Sequence, residues 1–313
     1  MWWLQLAWTL LIFRLSFIFS YVAAQVPPKT LADGQVFPSL GLGVYMMEPG
    51  QETYNSVKWA LELGYRMVDT AQMYGNEASV GEAVRDSGIP RSELWIQSKL
   101  NSQNHGYKKT INSVKASIKS MGLDYLDCFL VHSPYGGKLV ETWDALLKLQ
   151  KDGLLRSIGV SNYGLQHLKV LSDHQRPLPV MNQIEMHPMI LAERQALIDY
   201  CNQKHIVVQA YGSLFFGRTE FLSDQHVTAI VANHGGKSAA QVLLRWGYQK
   251  GFQLIPKSVK RNRIESNMDI FDFELTETEM KSLDGMQGFL GAYWNPVDDA
   301  AVDLGATHHA GEL

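Results

Sequence analysis

The stretch VDTAQMYGNEASVG, residues 68–81, sets a carboxylate, Asp69, a few residues before a phenol, Tyr74. Further along, Lys99 closes the run LWIQSK and His132 closes YLDCFLVH. An acid, a phenol, a cation and an imidazole make a proton-donor set if they meet. A free tyrosine titrates near ~10, too high to give up its proton readily at neutral pH, and an adjacent ammonium favours the phenolate. Lys99 is expected to act on Tyr74 in this way, with Asp69 holding Lys99 charged and in place. His132 would donate a hydrogen bond to a substrate carbonyl oxygen. Such a set serves addition to C=O, with Tyr74 protonating the oxygen that becomes anionic.

Taken singly, each residue has an ordinary structural explanation. Asp69 could cap the next segment, Tyr74 could lie on the surface, Lys99 could be solvated and His132 could be a core histidine. What unites them is their place at the ends of strand-like runs. Such runs occur near 40–46, 65–69, 94–99, 125–132, 155–161, 179–185, 206–212 and 252–257. Helix-like segments such as QETYNSVKWALELG, NEASVGEAVRDSG and YKKTINSVKASIKSMG lie between them, many ending in the glycine that closes a helix. Strand and helix alternating in this way predict a parallel sheet covered by helices. Eight units over about 250 residues fit a closed (β/α)8 barrel, whose chemistry is built at the C-terminal ends of its strands. Adjacent strands lie only ~5 Å apart, so all four side chains could converge at one mouth. Ahead of the barrel, LADGQVF (31–37) carries the Asp-Gly signal of a hairpin.

The chain has 313 residues, 46% hydrophobic and 19% charged, with a net charge of -3, which describes a globular protein with a substantial core. No long basic run is present, so the footprint of a nucleic-acid binder is missing. Cys128 and Cys201 are too few for a disulfide framework and form no Cys-x-x-Cys pair, and both are expected to be buried. No metal set is expected, and the adjacent His308 and His309 fall in a polar tail. Residues 2–24 are nearly all apolar, interrupted by Arg14, and Val22 and Ala24 suit cleavage before Gln25. A signal or membrane anchor over residues 1–24 is expected, placing the protein in the secretory pathway or on an endomembrane, with a cytoplasmic location as the alternative. No basic residue precedes the apolar run, and Arg14 in a spanning helix would cost about 2.5–3.5 kcal/mol. Residues 25–313 contain no linker and are expected to form a single domain and a monomer.

Two nucleotide and nucleophile signatures are near misses. GLGVYM at 41–46 has Met46 where G-x-G-x-x-G needs its last glycine, and GVSNY has Tyr163 where G-x-S-x-G needs its own. Both count against a Rossmann enzyme and a serine hydrolase. A carboxylate-pair hydrolase would need an acid opposite Asp69, and Glu185 is the only obvious strand-end partner. Instead, GYRMVDTAQMYGNEASVG, SKL (98–100), DYLDCFLVHSP (124–134), GVSNY (159–163), NQIEMHP (182–188) and IPKSVKRNRIESN (255–267), in this order, resemble the aldo-keto reductases.

That resemblance implies a (β/α)8 barrel that binds NADP(H) in extended form and reduces aldehydes or ketones, with Asp69, Tyr74, Lys99 and His132 as its catalytic tetrad. It implies further that Ser161, Asn162 and Gln183 bind the nicotinamide carboxamide and that Tyr211 stacks on the ring, with Ser213 and Leu214 beside the cofactor. Lys257, Ser258 and Arg263, with Lys260 close by, would hold the adenosine 2'-phosphate, chemistry that suits an Arg fork and a Lys point charge. Asn267 would accompany the adenine, although Ser266 replaces a glutamate common in relatives. Tyr45 and His132 would contact substrate, and Asn101 and Ser133 replace tryptophans, leaving a more open and polar pocket. Phe215, Phe216, Tyr293 and Trp294 are candidate pocket walls, the latter two on a C-terminal substrate loop. An alternative to the enzyme is an NADPH-binding regulatory subunit or sensor of a membrane partner, with little turnover.

Overall fold

Strand residues here alternate between two buried surroundings, the interior of a cylinder and a surrounding layer of helices. The computed structural model describes residues 26–288. An antiparallel hairpin, β1 (Pro28–Thr30) and β2 (Val36–Pro38), comes first and pairs Lys29 with Phe37. At its turn Gly34 takes φ +83°, and Asp33 Oδ1 accepts the Gln35 amide, as the Asp-Gly signal predicts. Eight parallel strands follow: β3 (Leu42–Gly43), β4 (Met67–Asp69), β5 (Trp95–Leu100), β6 (Leu126–Val131), β7 (Leu155–Ser161), β8 (Met181–Glu185), β9 (Val207–Tyr211) and β10 (Gln253–Leu254). They are hydrogen-bonded in chain order. The ring closes where the Gly41 amide donates to the Leu254 carbonyl at 2.8 Å and the Leu254 amide donates to Ser39 at 3.0 Å.

The closing seam is tighter and shorter than the sequence runs 40–46 and 252–257 suggest. At Gly43 a Cβ would stand 2.7 Å from the Ile255 carbonyl oxygen, so only glycine fits. Pro256 has no N–H to extend the ladder on the other side. Among the described residues, four α-helices fall where no helix is predicted: Thr219–Leu222, Gln225–Asn233, Arg261–Met268 and Glu277–Asp284. The last begins with a capping box, in which Thr276 Oγ1 accepts the Glu279 amide and Glu279 accepts the Thr276 amide.

Each barrel strand places every second residue inside. On β5 these are Trp95, Gln97 and Lys99; on β4, Met67 and Asp69; on β8, Met181, Gln183 and Glu185; on β9, Val207, Gln209 and Tyr211. The interior is therefore stratified. At the bottom, Leu31 and Phe37 of the hairpin plug the barrel against Met67, Trp95, Cys128 and Met181. Above them lie glutamine amides, and above those the charged residues of the mouth. The outward residues, among them Val68, Ile96, Phe129, Val160 and Ile184, pack against the helices. Cys128 and Cys201 are both free and buried, as expected.

The apolar segment 1–24, with its expected signal or anchor, lies outside the described residues, as do Tyr293, Trp294, His308 and His309. Among the described residues no helix is long and apolar enough to cross a membrane.

Candidate active site

The four candidate catalytic residues meet at the C-terminal mouth of the barrel. Asp69 is the last residue of β4, Lys99 lies near the end of β5, and His132 follows β6, its amide donating to the Leu100 carbonyl at 3.2 Å. Tyr74 sits on a 3-10 turn, Gln72–Tyr74, just beyond β4. Lys99 Nζ donates to Asp69 Oδ2 at 2.7 Å and to the Thr70 carbonyl at 2.9 Å, and it stands 3.1 Å from the Tyr74 hydroxyl. The Tyr74 ring packs edge-on against His132 with centroids 5.8 Å apart, and Tyr45 covers another side at 5.0 Å.

Two side chains that sequence reasoning missed fix this turn. Gln72 accepts the Asn101 amide at 2.9 Å and donates to Ser117 Oγ at 2.9 Å, tying the Tyr74 turn to the loop after β5. Asn76 accepts from Thr70 Oγ1 at 2.7 Å and donates to the carbonyls of Val44 and Met47, tying it to the loop that carries Tyr45. Their signal in the sequence is their position, flanking Tyr74 in QMYGN.

One electrostatic expectation is corrected. Tyr74 is not made acidic by its ammonium neighbour: burial holds the phenol well above its ordinary value, and the Asp69 carboxylate pushes in the same direction. Burial is the larger cause, and the Asp69 carboxylate, itself 2.7 Å from the Lys99 ammonium, adds to it. Burial lowers the Lys99 ammonium, and Asp69 opposes that. Burial, joined by the Lys99 charge, holds His132 well below its usual value, so the imidazole is neutral.

Next to the tetrad, the expected nicotinamide ligands form a chain of their own. Asn162, at φ +60°, donates to the His132 carbonyl and to Ser161 Oγ, each at 3.0 Å, and accepts the Tyr211 hydroxyl at 2.8 Å. Ser161 Oγ donates to the Gln183 carbonyl at 2.9 Å. The Gln183 amide donates to Asp69 Oδ1 at 2.9 Å and to Gln209, so its side-chain oxygen is what remains for a ligand. Ser213 is buried and Leu214 half-buried on the loop after β9. On the same loop Phe216 packs near Tyr211 with its ring half exposed, in keeping with a pocket wall. Phe215 does not serve as one: it is wholly buried against His187 and Phe221. Ser133 is buried against Ser102 Oγ at 3.0 Å, and Glu185 Oε1 accepts from His187 Nε2 at 3.2 Å rather than facing Asp69 as a free acid.

The third group lies past β10. Lys257, Lys260 and Arg263 are exposed, Ser258 and Asn267 are buried, and Ser258 Oγ accepts the Lys260 amide at 3.1 Å. Arg261 is neutralised by Glu62 at 2.7 Å, which leaves the other three cations to face an anion. A cleft of about 250 Å³ opens at the opposite end of the barrel, under the hairpin between Val36, Leu40 and Arg66, and none of the candidate site residues lines it.

This arrangement matches known proteins. The model of the aldo/keto reductase family fits residues 39–287. The chain belongs to the aldo/keto reductase family. Among its relatives in that family, the 9,11-endoperoxide prostaglandin H2 reductase of Trypanosoma cruzi is 41% identical over 255 residues, covering 82% of this chain and 89% of the relative. The glyoxal reductase of Bacillus subtilis is 43% identical over 256 residues, covering 82% and 91%. The aldo-keto reductase of Bombyx mori, solved in complex with NADP, superposes with a TM-score of 0.77 at 32% identity, covering 83% of this chain and 92% of that one. The (β/α)8 barrel expected from sequence is thus the fold of the family, and the chain is an oxidoreductase of that family.

Proposed function

We propose that this aldo-keto reductase reduces the carbonyl group of small aldehydes or ketones to alcohols with NADP(H) as cofactor, Tyr74 being the proton donor. The observation that carries this reading is the Lys99 ammonium held 3.1 Å from the Tyr74 hydroxyl and 2.7 Å from Asp69. NADPH, when bound, supplies the hydride. The site's own residues suit it. Gln183 offers a side-chain oxygen to the carboxamide amine, Ser161 and Asn162 line the same edge, and Tyr211 gives a flat ring at the end of β9. Lys257, Lys260 and Arg263 offer cations, and Ser258 a hydroxyl, to the 2'-phosphate that separates NADP from NAD.

The chain's part in the chemistry is to place and to protonate. A neutral His132 donates a hydrogen bond to the carbonyl oxygen and sets it beside Tyr74. The raised phenol remains protonated across the neutral range, so the donor is loaded in every resting molecule. Charge develops on the substrate oxygen as its carbon is reduced, and an alkoxide is a stronger base than a phenolate, so the proton moves from Tyr74 Oη to that oxygen. The phenolate left behind is stabilised by Lys99, which is where the ammonium acts. Tyr45, the half-exposed Phe216 and the polar Asn101 give a pocket with mixed lining.

The test is Tyr74→Phe. It is expected to bind NADPH with wild-type affinity and to lose about 10²–10⁴-fold in kcat, the usual worth of a positioned general acid. Wild-type turnover of a reactive aldehyde by this variant, followed through NADPH absorbance, would sink the assignment.

A further inference from the structure

Beneath the catalytic mouth the barrel is crossed by side-chain amides. Asp69 and Gln97 are register partners on β4 and β5, and Gln183 and Gln209 are partners on β8 and β9, the opposite wall. Gln97 Nε2 donates to Asp69 Oδ1 at 2.7 Å and to Gln209 Oε1 at 2.7 Å. Gln183 Nε2 donates to the same two oxygens. One carboxylate oxygen and one amide oxygen thus each accept from two amides across the full width of the barrel. All of these residues are buried.

The orientation of every amide in this layer follows from one charge. The carboxylate of Asp69, ion-paired with Lys99, can only accept, so the nitrogens of Gln97 and Gln183 must face it. The same nitrogens reach Gln209, so its oxygen must face them. This leaves Gln97 Oε1 and Gln209 Nε2 buried without a partner. Each such group costs about 1–3 kcal/mol, and an aliphatic side chain of similar volume would avoid it. Below lie Met67, Trp95, Cys128 and Met181, where one further buried glutamine, Gln253, reaches Met67 Sδ at 3.0 Å and makes no bond to Asp69.

We propose that Gln97 and Gln209 are positioning residues that lock Asp69 and Gln183 into one unit, so that the proton-donor side and the cofactor side of the site hold a fixed mutual geometry. The inference rests on the reading of Asp69, Lys99 and Tyr74 as the proton-donating chain and of Gln183 as a nicotinamide contact. Gln97 fixes the Asp69 oxygen not used by Lys99, which keeps Oδ2 aimed at the ammonium. Gln209 fixes the Gln183 amide, which keeps the remaining Gln183 oxygen aimed at the ligand. Neither glutamine touches the reacting atoms.

Gln97→Met, Gln209→Met and the double variant test this, with kcat, the carbonyl KM, the NADPH Kd by fluorescence and the primary isotope effect from 4-deuterated NADPH. Gln97→Met is expected to lower kcat about tenfold with NADPH Kd within threefold of wild type. Gln209→Met is expected to raise the NADPH Kd about fivefold. In both, the isotope effect rises, because a misaligned donor makes the chemical step more limiting. The double variant is expected to fall well short of the product of the two single effects, since either change breaks the same tie. Folded variants with wild-type kcat, Kd and isotope effect overturn the proposal, as does activity lost only in proportion to misfolded protein with an unchanged isotope effect. If neither Met variant folds, Gln97→Asn keeps an amide but is one methylene too short to reach Asp69, and wild-type turnover there overturns it equally. A neutral outcome in these variants alongside an inactive Tyr74→Phe refutes only the role of the glutamines, whereas an active Tyr74→Phe refutes the reading beneath it.

Discussion

Lys99 and Asp69 form an ion pair from which water is excluded, with side chains 0% and 3% exposed and the charged atoms 2.7 Å apart. A pair this deep is costly to break from one side, because the partner left behind is an uncompensated buried charge. Lys99→Met is therefore expected to destabilise the fold by about 3–5 kcal/mol. Asp69→Asn combined with Lys99→Met replaces the pair with neutral groups and is expected to regain most of that stability. Carbonyl reduction stays at least about 10²-fold down in both, since neither supplies an ammonium beside Tyr74. Thermal unfolding and kcat on the same preparations separate the two effects. Near-normal turnover in the stable double variant would show that the ammonium has no part in the reaction.

The exposed cations past β10 carry a different prediction, because nothing in the fold depends on them. Arg263→Ala and Lys257→Ala are expected to leave the melting temperature unchanged and to raise KM for NADPH. A hydrogen bond to a charged group is worth about 1.5–3 kcal/mol, or roughly 10- to 150-fold in affinity. NADH lacks the 2'-phosphate, so its KM is expected to move less than twofold. Equal losses with the two cofactors would place the phosphate contact elsewhere.

These sites differ in how plainly the sequence announces them. Asp69, Lys99 and His132 are legible because the strand pattern alone puts them at one rim, and the barrel follows from the same alternation. Tyr74 is legible as a partner of Asp69, but the direction of its acidity is not. A sequence displays charges and hides both burial and the distance at which one charge cancels another. Gln97 and Gln209 read in the sequence as polar interruptions of apolar strands. Parallel barrel strands are covered on both faces, so an uncharged polar residue inside one is itself a signal that an inward-facing partner exists. Phe215 shows the opposite limit: it and Phe216 are identical in type and adjacent, and only the turn of the backbone decides which is core and which is wall. The helices Arg261–Met268 and Glu277–Asp284 escape notice because their short apolar faces fall among polar residues.

Acid sensitivity is expected from a histidine outside the tetrad. His105 Nδ1 lies 2.8 Å from the Gly137 carbonyl oxygen, which can only accept, so the proton is on Nδ1, and the buried Nε2 has no partner. Burial pushes its pKa down to about 4, against 6.5 for an ordinary histidine, with the Gly137 bond opposing. Because the folded value is depressed, the unfolded chain binds the proton first as pH falls. The contribution to stability is complete above about 6.5 and is lost progressively as pH drops towards 4, about 3 kcal/mol in all. His132 is shifted in the same direction and adds to the loss. His105→Asn keeps an N–H for Gly137 and removes the titration, at the cost of a small cavity that does not depend on pH. Urea unfolding at pH 7 and pH 4.5 is expected to show a smaller fall in stability for the variant than for the wild type. Parallel falls would mean that the protonated ring is accommodated in the folded state, and the acid sensitivity would then have to originate in His132 or the carboxylates.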